Sequence, residues 1–198
     1  MQDPRDIIRG VLQTSIALRQ DMLSGSIDAI AKVADLLVAT LQRGGTIYTI
    51  GNGGSAADAQ HFAAELVGRF YKLERKAIPA VALSTNTSTL TALGNDYGYD
   101  IVFSRQLEAF CKPQDALVGI STSGNAVSVL KGFQVALERR ATTVFLTGHT
   151  GGSIGRELMN LSATLHIPHY NTGRIQEAHI TVIHILCQLI ENALFETM

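Results

Sequence analysis

The chain has 198 residues, of which 46% are hydrophobic and 17% charged, a composition that suits one α/β domain with a sizeable core and excludes disorder. Its 16 basic and 17 acidic residues leave a formal net charge of −1, which argues against a polyanion-binding surface. So high an apolar share beside so few charges predicts apolar surface buried between subunits.

The opening stretch MQDPRDIIRG carries acids where a signal peptide needs a basic region and an apolar core. No uninterrupted apolar run approaches the roughly 18 residues of a spanning helix, so cytoplasm is the expected location, with no membrane and no nucleic acid as partner. From Asp6 to about Arg43 the pattern is helical with a break near Ser24-Gly25-Ser26. Ile7, Val11, Leu12 and Ile16 share one face before the break, and Ile30, Val33, Leu37 and Leu41 share one after it. Gly44-Gly45 ends the second helix. Then strands and helices alternate. TIYTI (46–50), PAVAL (79–83), ALVGI (116–120), TTVFLT (142–147) and ATLHI (163–167) read as strands. Residues 55–68, 87–93, 100–111, 126–139, 150–158 and 173–194 read as helices. This alternation predicts a five-stranded parallel sheet covered on both faces, an α/β three-layer sandwich with an N-terminal helical hairpin. The expected organisation is a single domain over 1–198, with helices at 1–44 and the α/β core at 45–198. Cys111 and Cys187 lie far apart and read as buried free thiols.

One device occurs twice. An apolar strand runs into GNGGSA at 51–56, and another into STSGNA at 121–126, and each turn opens a helix. Such turns offer backbone N–H groups where the helix dipole also favours negative charge. Ser121, Thr122 and Ser123 add three hydroxyls at a strand's carboxyl end, where open α/β sheets bind ligands. Helix capping alone would also account for Ser and Asn at these places. The first loop matches G-x-G-x-x-A, but the next strand ends Leu83-Ser84-Thr85 with no acid to hold a ribose. No Lys-Ser/Thr pair follows the glycines, so a nucleotide cofactor is not expected.

His61 and Glu65, at i and i+4, share a helical face and suit either metal binding or acid/base work, though a plain surface contact is also a reading. The last helix carries Gln176, His179 and His184 among apolar residues, and polar groups buried there need partners. Asn95-Asp96 reads as a turn that stops a helix. His149, His166 and His169 fall in no usable arrangement.

GNGGSAADAQHFAAEL (51–66), GNDYGY (94–99), GISTSGN (119–125), LTGHTGG (146–152) and RIQEAHITVIHILCQLIE (174–191) occur in this order. Together, and over nearly the whole chain, they resemble the sedoheptulose 7-phosphate isomerases, also called phosphoheptose isomerases. The resemblance implies a sugar-isomerase (SIS) fold and a homotetramer with sites at subunit interfaces. It implies conversion of a sugar-phosphate substrate, sedoheptulose 7-phosphate, to D-glycero-D-manno-heptose 7-phosphate, the first step towards the heptose of lipopolysaccharide or related glycans. The family's zinc ligands, one ion per subunit, fall on His61, Glu65, Gln176 and His184, and its acid/base pair on Glu65 and His184. Its substrate contacts fall on Asn52, Gly53, Gly54, Ser55, Glu65, Asn95, Asp96, Ser121, Thr122, Ser123 and Gln176. A further phosphate-binding serine is expected at 126, where this chain has Ala126, and Gly173 stands where some members carry an acid.

Gln176 and His184 are eight residues apart, about 12 Å along a helix and about 80° around it. One ion cannot readily take both from one helix, so one of the two is expected from a neighbouring subunit. Retention of both Glu65 and His184 favours an enzyme over a non-catalytic SIS binding protein of the replication-initiator-associating type. An isomerase of another sugar phosphate, such as a hexulose 6-phosphate, is the nearer alternative. A sugar-phosphate-sensing regulator would usually add a DNA-binding domain, for which the chain has no room.

Overall fold

The computed structural model describes residues 3–195, so residues 1–2 and 196–198 of the expected 1–198 domain lie outside it. Helix α1 (Pro4–Gly25) starts where Asp3 accepts a hydrogen bond from the Arg5 amide at 2.9 Å, with Pro4 supplying a preset first turn. Ser26 turns the chain into α2 (Ile27–Gln42), as the break in the pattern predicts. There follow β1 (Ile47–Gly51), α3 (Gly54–Val67), β2 (Ala80–Ala82) and α4 (Thr87–Tyr97). A 3₁₀ turn at Tyr99–Ile101 and α5 (Ser104–Phe110) replace the single helix expected over 100–111. The remainder is β3 (Ala116–Ser121), α6 (Val127–Glu138), β4 (Thr142–Thr147), α7 (Gly152–Glu157), β5 (Ala163–His166) and α8 (Thr172–Phe195).

The five strands are parallel and ordered β2-β1-β3-β4-β5, with Ile47 opposite both Ala80 and Ala116. Every residue of β1 and β3 is buried, which is why they read as unbroken apolar runs. Asp115 fixes the start of both strands, accepting from the amides of Thr46 and Lys112 at 2.8 Å each. Two cores flank the sheet. One joins α1, α2, α3 and α8 to Ile47, Val118, Val144 and Leu146; the other joins α5, α6 and α7 to Tyr48, Ile50, Leu117 and Phe145. Cys111 and Cys187 are buried and unpaired, as expected.

One expectation needs correction. Asn95 and Asp96 do not form a turn: they sit inside the last turn of α4, which runs on to Tyr97 before Gly98 ends it. The preceding Leu90 and Leu93 pack on the core and carry the helix past these turn-favouring residues. The apolar face of α1 is largely absent from the chain's own core. Ile7, Ile8, Leu12 and Ile16 are each at least half exposed, and of α1 only Leu18 and Met22 are buried.

By length and composition α8 is apolar enough to cross a membrane, with a mean hydropathy of 1.4 over 18 residues, but here its apolar side lies in a core. His179 of that helix is fully buried, and neither ring nitrogen has a hydrogen-bond partner among the described residues. Burial pushes the ring down to about 4 from 6.5, against a weaker opposing pull from the Thr147 backbone. The unfolded chain therefore takes up a proton near pH 6.5 that the folded chain refuses until about pH 4. Stability is lost as pH falls through that window, by roughly 3 kcal/mol. From pH 7 to pH 4 the unfolding free energy in urea should change by about 3 kcal/mol less favourably in the parent chain than in His179→Leu, other titrating groups being common to both; equal changes would mean that His179 is protonated or partnered in the fold.

Candidate active site

The strand order reverses between β1 and β3, so their carboxyl ends diverge and leave a crevice at the edge where open α/β sheets bind ligands. Asn52 follows β1 directly. Its amide is fixed from both sides: Tyr99 Oη donates to Asn52 Oδ1 at 3.0 Å, and Asn52 Nδ2 donates to Ser128 Oγ at 2.9 Å. Neither partner was singled out by the sequence, although Tyr99 ends the GNDYGY motif; Ser128 gives no signal at all. Across the crevice, Ser121 Oγ accepts from the Gly124 amide at 3.1 Å and Ser123 Oγ from the Asn125 amide at 3.3 Å. Gly124 (φ 67°) and Gly152 (φ 61°) then press the serine loop against the loop after β4: a Cβ on Gly124 would enter the backbone of Gly151, and one on Gly152 that of Ser123 and Gly124. The Thr122 carbonyl accepts from the Gly148 amide at 3.1 Å, and Asn125 Oδ1 from the Ser153 amide at 2.8 Å. The LTGHTGG stretch is therefore the support on which the serine loop rests.

Helices α3 and α8 lie side by side and run in the same direction. At their start, Gln176 covers Gly54, where any Cβ would collide with the glutamine amide. Seven residues further along α3, His61 Nε2 meets His184 Nε2 at 2.9 Å, the rings crossing at 65°. Glu65 Oε1 lies 3.7 Å from the same His61 Nε2, with the His61 and Glu65 side chains 39% and 25% exposed. Three of the four expected metal ligands thus converge within one chain, and Gln176 stands apart at the head of the helix pair. Two imidazole nitrogens and a carboxylate oxygen are the donor types that zinc takes. The described residues contain no group of three or more His, Cys, Asp or Glu side chains closed to metal spacing. Asn95 and Asp96 are exposed, and their recorded side-chain hydrogen bond is to each other, at 2.8 Å, so within one chain they join no other predicted site residue.

The surroundings add charge and cover. Asp58, one turn before His61, has Oδ2 buried without a hydrogen-bond partner among the described residues, and burial pushes its carboxyl up to about 6 against the opposing pull of His61. Phe70, in the loop after α3, lies 5.5 Å from the His184 ring. That loop is held by an ion pair between Arg75 and Glu191, whose side chains are each 1% exposed. Burial opposes ionisation of Glu191, yet the Arg75 guanidinium and three backbone amides hold its carboxyl down at about 2.

Ala126 is the residue that caps α6, and it makes no side-chain cap bond. The Val129 amide turns back to the Ala126 carbonyl at 3.1 Å, while the Val127 and Ser128 amides have no partner among the described residues. Ala126→Ser should raise the unfolding free energy in urea by about 1 kcal/mol; no gain would mean that the loop already satisfies those amides.

A family model for the SIS domain matches residues 12–148. The chain is 55% identical over 166 residues to a phosphoheptose isomerase of Geobacter sulfurreducens, covering 84% of this chain and 86% of that one. It superposes on a phosphoheptose isomerase of Francisella tularensis with a TM-score of 0.93 at 32% identity, covering 96% and 100% of the two chains. For the phosphoheptose isomerase of Neisseria gonorrhoeae the TM-score is 0.88 at 42% identity, covering 95% and 98%. With its reversed five-stranded sheet, paired loops and identities of this size, the chain belongs to the SIS domain family and, within it, to the phosphoheptose isomerases.

Proposed function

We propose that this chain is an aldose–ketose isomerase that interconverts sedoheptulose 7-phosphate and D-glycero-D-manno-heptose 7-phosphate in the cytoplasm, supplying heptose for lipopolysaccharide or a related glycan. The observation that carries the reading is the meeting of Glu65, His61 and His184 across α3 and α8. In the forward direction Glu65 removes a proton from C1, and His184 gives one to the carbonyl oxygen at C2, forming an enediol. Returning the first proton to C2 and withdrawing that of the C1 hydroxyl completes the aldose. The Ser121–Ser123 hydroxyls and the start of α6 hold the phosphate, and Asn52, Gly53, Gly54 and Ser55 bound the sugar from the β1 side. His61, Glu65 and His184, with Gln176, would hold one zinc ion per subunit. When bound, it would polarise the carbonyl oxygen or orient two substrate oxygens.

Two features support assembly into a homotetramer with shared sites. The exposed Ile7, Ile8, Leu12 and Ile16 stripe of α1 needs cover, which a second copy would supply. The seven residues from Gly54 to His61 set the histidine pair about 10 Å down the helices from the crevice loops of the same chain. A neighbouring subunit's loops and its Gln176, or its Asn95 and Asp96, would complete the site. Because His61 and His184 meet inside one chain, the expectation that Gln176 or His184 crosses between subunits narrows to Gln176.

Glu65→Gln should lower kcat on sedoheptulose 7-phosphate by about 100-fold or more with the assembly intact; wild-type turnover in that variant would remove Glu65 as the base. Metal-stripped protein should recover bound zinc, measured by mass, on reloading, and His61→Ala should not; equal uptake would place the metal elsewhere. Hybrid tetramers of His61→Ala with Gln176→Ala subunits should regain partial activity, whereas verified hybrids with none would put Gln176 and His61 in the same subunit's site.

A further inference from the structure

Arg75 and Glu191 are 116 residues apart, and although Glu191 ends the 174–191 motif, nothing in the local sequence pairs it with Arg75. Glu191 stands seven residues after His184 on α8, two turns on and on nearly the same face. Its Oε1 accepts from Arg75 Nε at 2.5 Å and from the Phe70 amide at 2.7 Å. Its Oε2 accepts from the amides of Tyr71 and Lys72 at 2.9 and 3.2 Å. Both oxygens are thus saturated. Arg75 in turn donates from Nη1 to the Lys76 carbonyl at 2.9 Å and from Nη2 to the Glu65 carbonyl at 2.6 Å. That last carbonyl lies in the final turn of α3, where backbone oxygens have no partner within the helix.

The pair therefore ties together three pieces of chain that bear on the chemistry. It caps α3 at the residue that carries the base, it fixes the backbone of Phe70 whose ring covers His184, and it anchors both to α8 below His184. A buried ion pair is a poor source of net stability, since well-packed apolar residues do as well. What it supplies here is direction: beyond the bond between the two side chains, each further bond is fixed to a backbone atom of a named residue. Resting on the isomerase reading above, we infer that Arg75 and Glu191 are positioning residues that set Glu65 and His184 against each other for proton transfer.

Glu191→Gln keeps the shape and removes the charge, Arg75→Lys keeps the charge and loses the fork, and Phe70→Leu leaves the pair intact but uncovers His184. Each variant would be assayed as the intact assembly on sedoheptulose 7-phosphate, with amide hydrogen exchange at residues 70–72 and the His184 ring resonances recorded alongside. The expected result for Glu191→Gln is a kcat lower by about 10- to 100-fold, KM within about twofold, faster exchange at 70–72 and a shifted His184 resonance. Arg75→Lys should fall between this variant and the parent, and Phe70→Leu should lower kcat and shift His184 without faster exchange. Faster exchange with parental kcat and an unmoved His184 would overturn the inference and leave the pair as scaffold only. If Glu191→Gln fails to fold, Arg75→Lys and Phe70→Leu decide by the same readings. A parent chain that does not turn over the substrate would sink the proposed function instead, and the His184 resonance would then decide the positioning role by itself.

Discussion

The structure depends on one constraint, that β1 and β3 are buried at every residue and hydrogen-bonded on both sides. A strand so enclosed has no free edge and no solvated face, so its neighbours must also be parallel and helices must cover both sides. Each helix then returns the chain to the same starting edge, and every strand-to-helix loop emerges at the other. The reversal of order between β1 and β3 leaves one place on that edge where two loops diverge. The Asn52 and Ser121–Ser123 loops stand there because of sheet topology, before any of their own chemistry is considered.

A second determinant of the site is the parallel contact of α3 with α8. Gln176 at Gly54 and His184 at His61 are matched steps along the two helices, so one lateral register places both meetings at once. Charge is handled differently at the two ends of this pair. At the histidines the polar groups remain partly open to solvent. Below them Arg75 and Glu191 are sealed, with each carboxylate oxygen engaged, and the sealed charges hold the open ones in place.

Much of the fold was legible because buried parallel strands are written as unbroken apolar runs and amphipathic helices as a repeat near 3.6. TTVFLT coincides with β4 residue for residue, and the break at Ser26 divides α1 from α2 where expected. The end of α4 was not legible, since Asn95 and Asp96 favour turns locally and only the packing of Leu90 and Leu93 carries the helix past them. Within the candidate site, the i, i+4 relation of His61 and Glu65 could be read directly, and so could the separation of Gln176 from His184. The contact between His61 and His184 spans 123 residues, and no local pattern encodes it; it was available only through family resemblance. The clasp of Glu191 on the 70–72 amides had no such aid, because backbone donors leave no mark in a sequence, and the hold of Tyr99 and Ser128 on Asn52 joins side chains 47 and 76 residues apart that no local pattern links.

The meeting of Gly124 with Gly152 has a consequence for how this site can change over evolutionary time. A Cβ at Gly124 would meet the Gly151 carbonyl at 2.0 Å and one at Gly152 the Ser123 carbonyl at 2.3 Å, so the obstacle to each is backbone, which no smaller side chain opposite can remove. Neither residue can drift alone, and no pairwise exchange rescues the loss. Change around this loop is thereby left to its side chains, while the path of its backbone stays fixed.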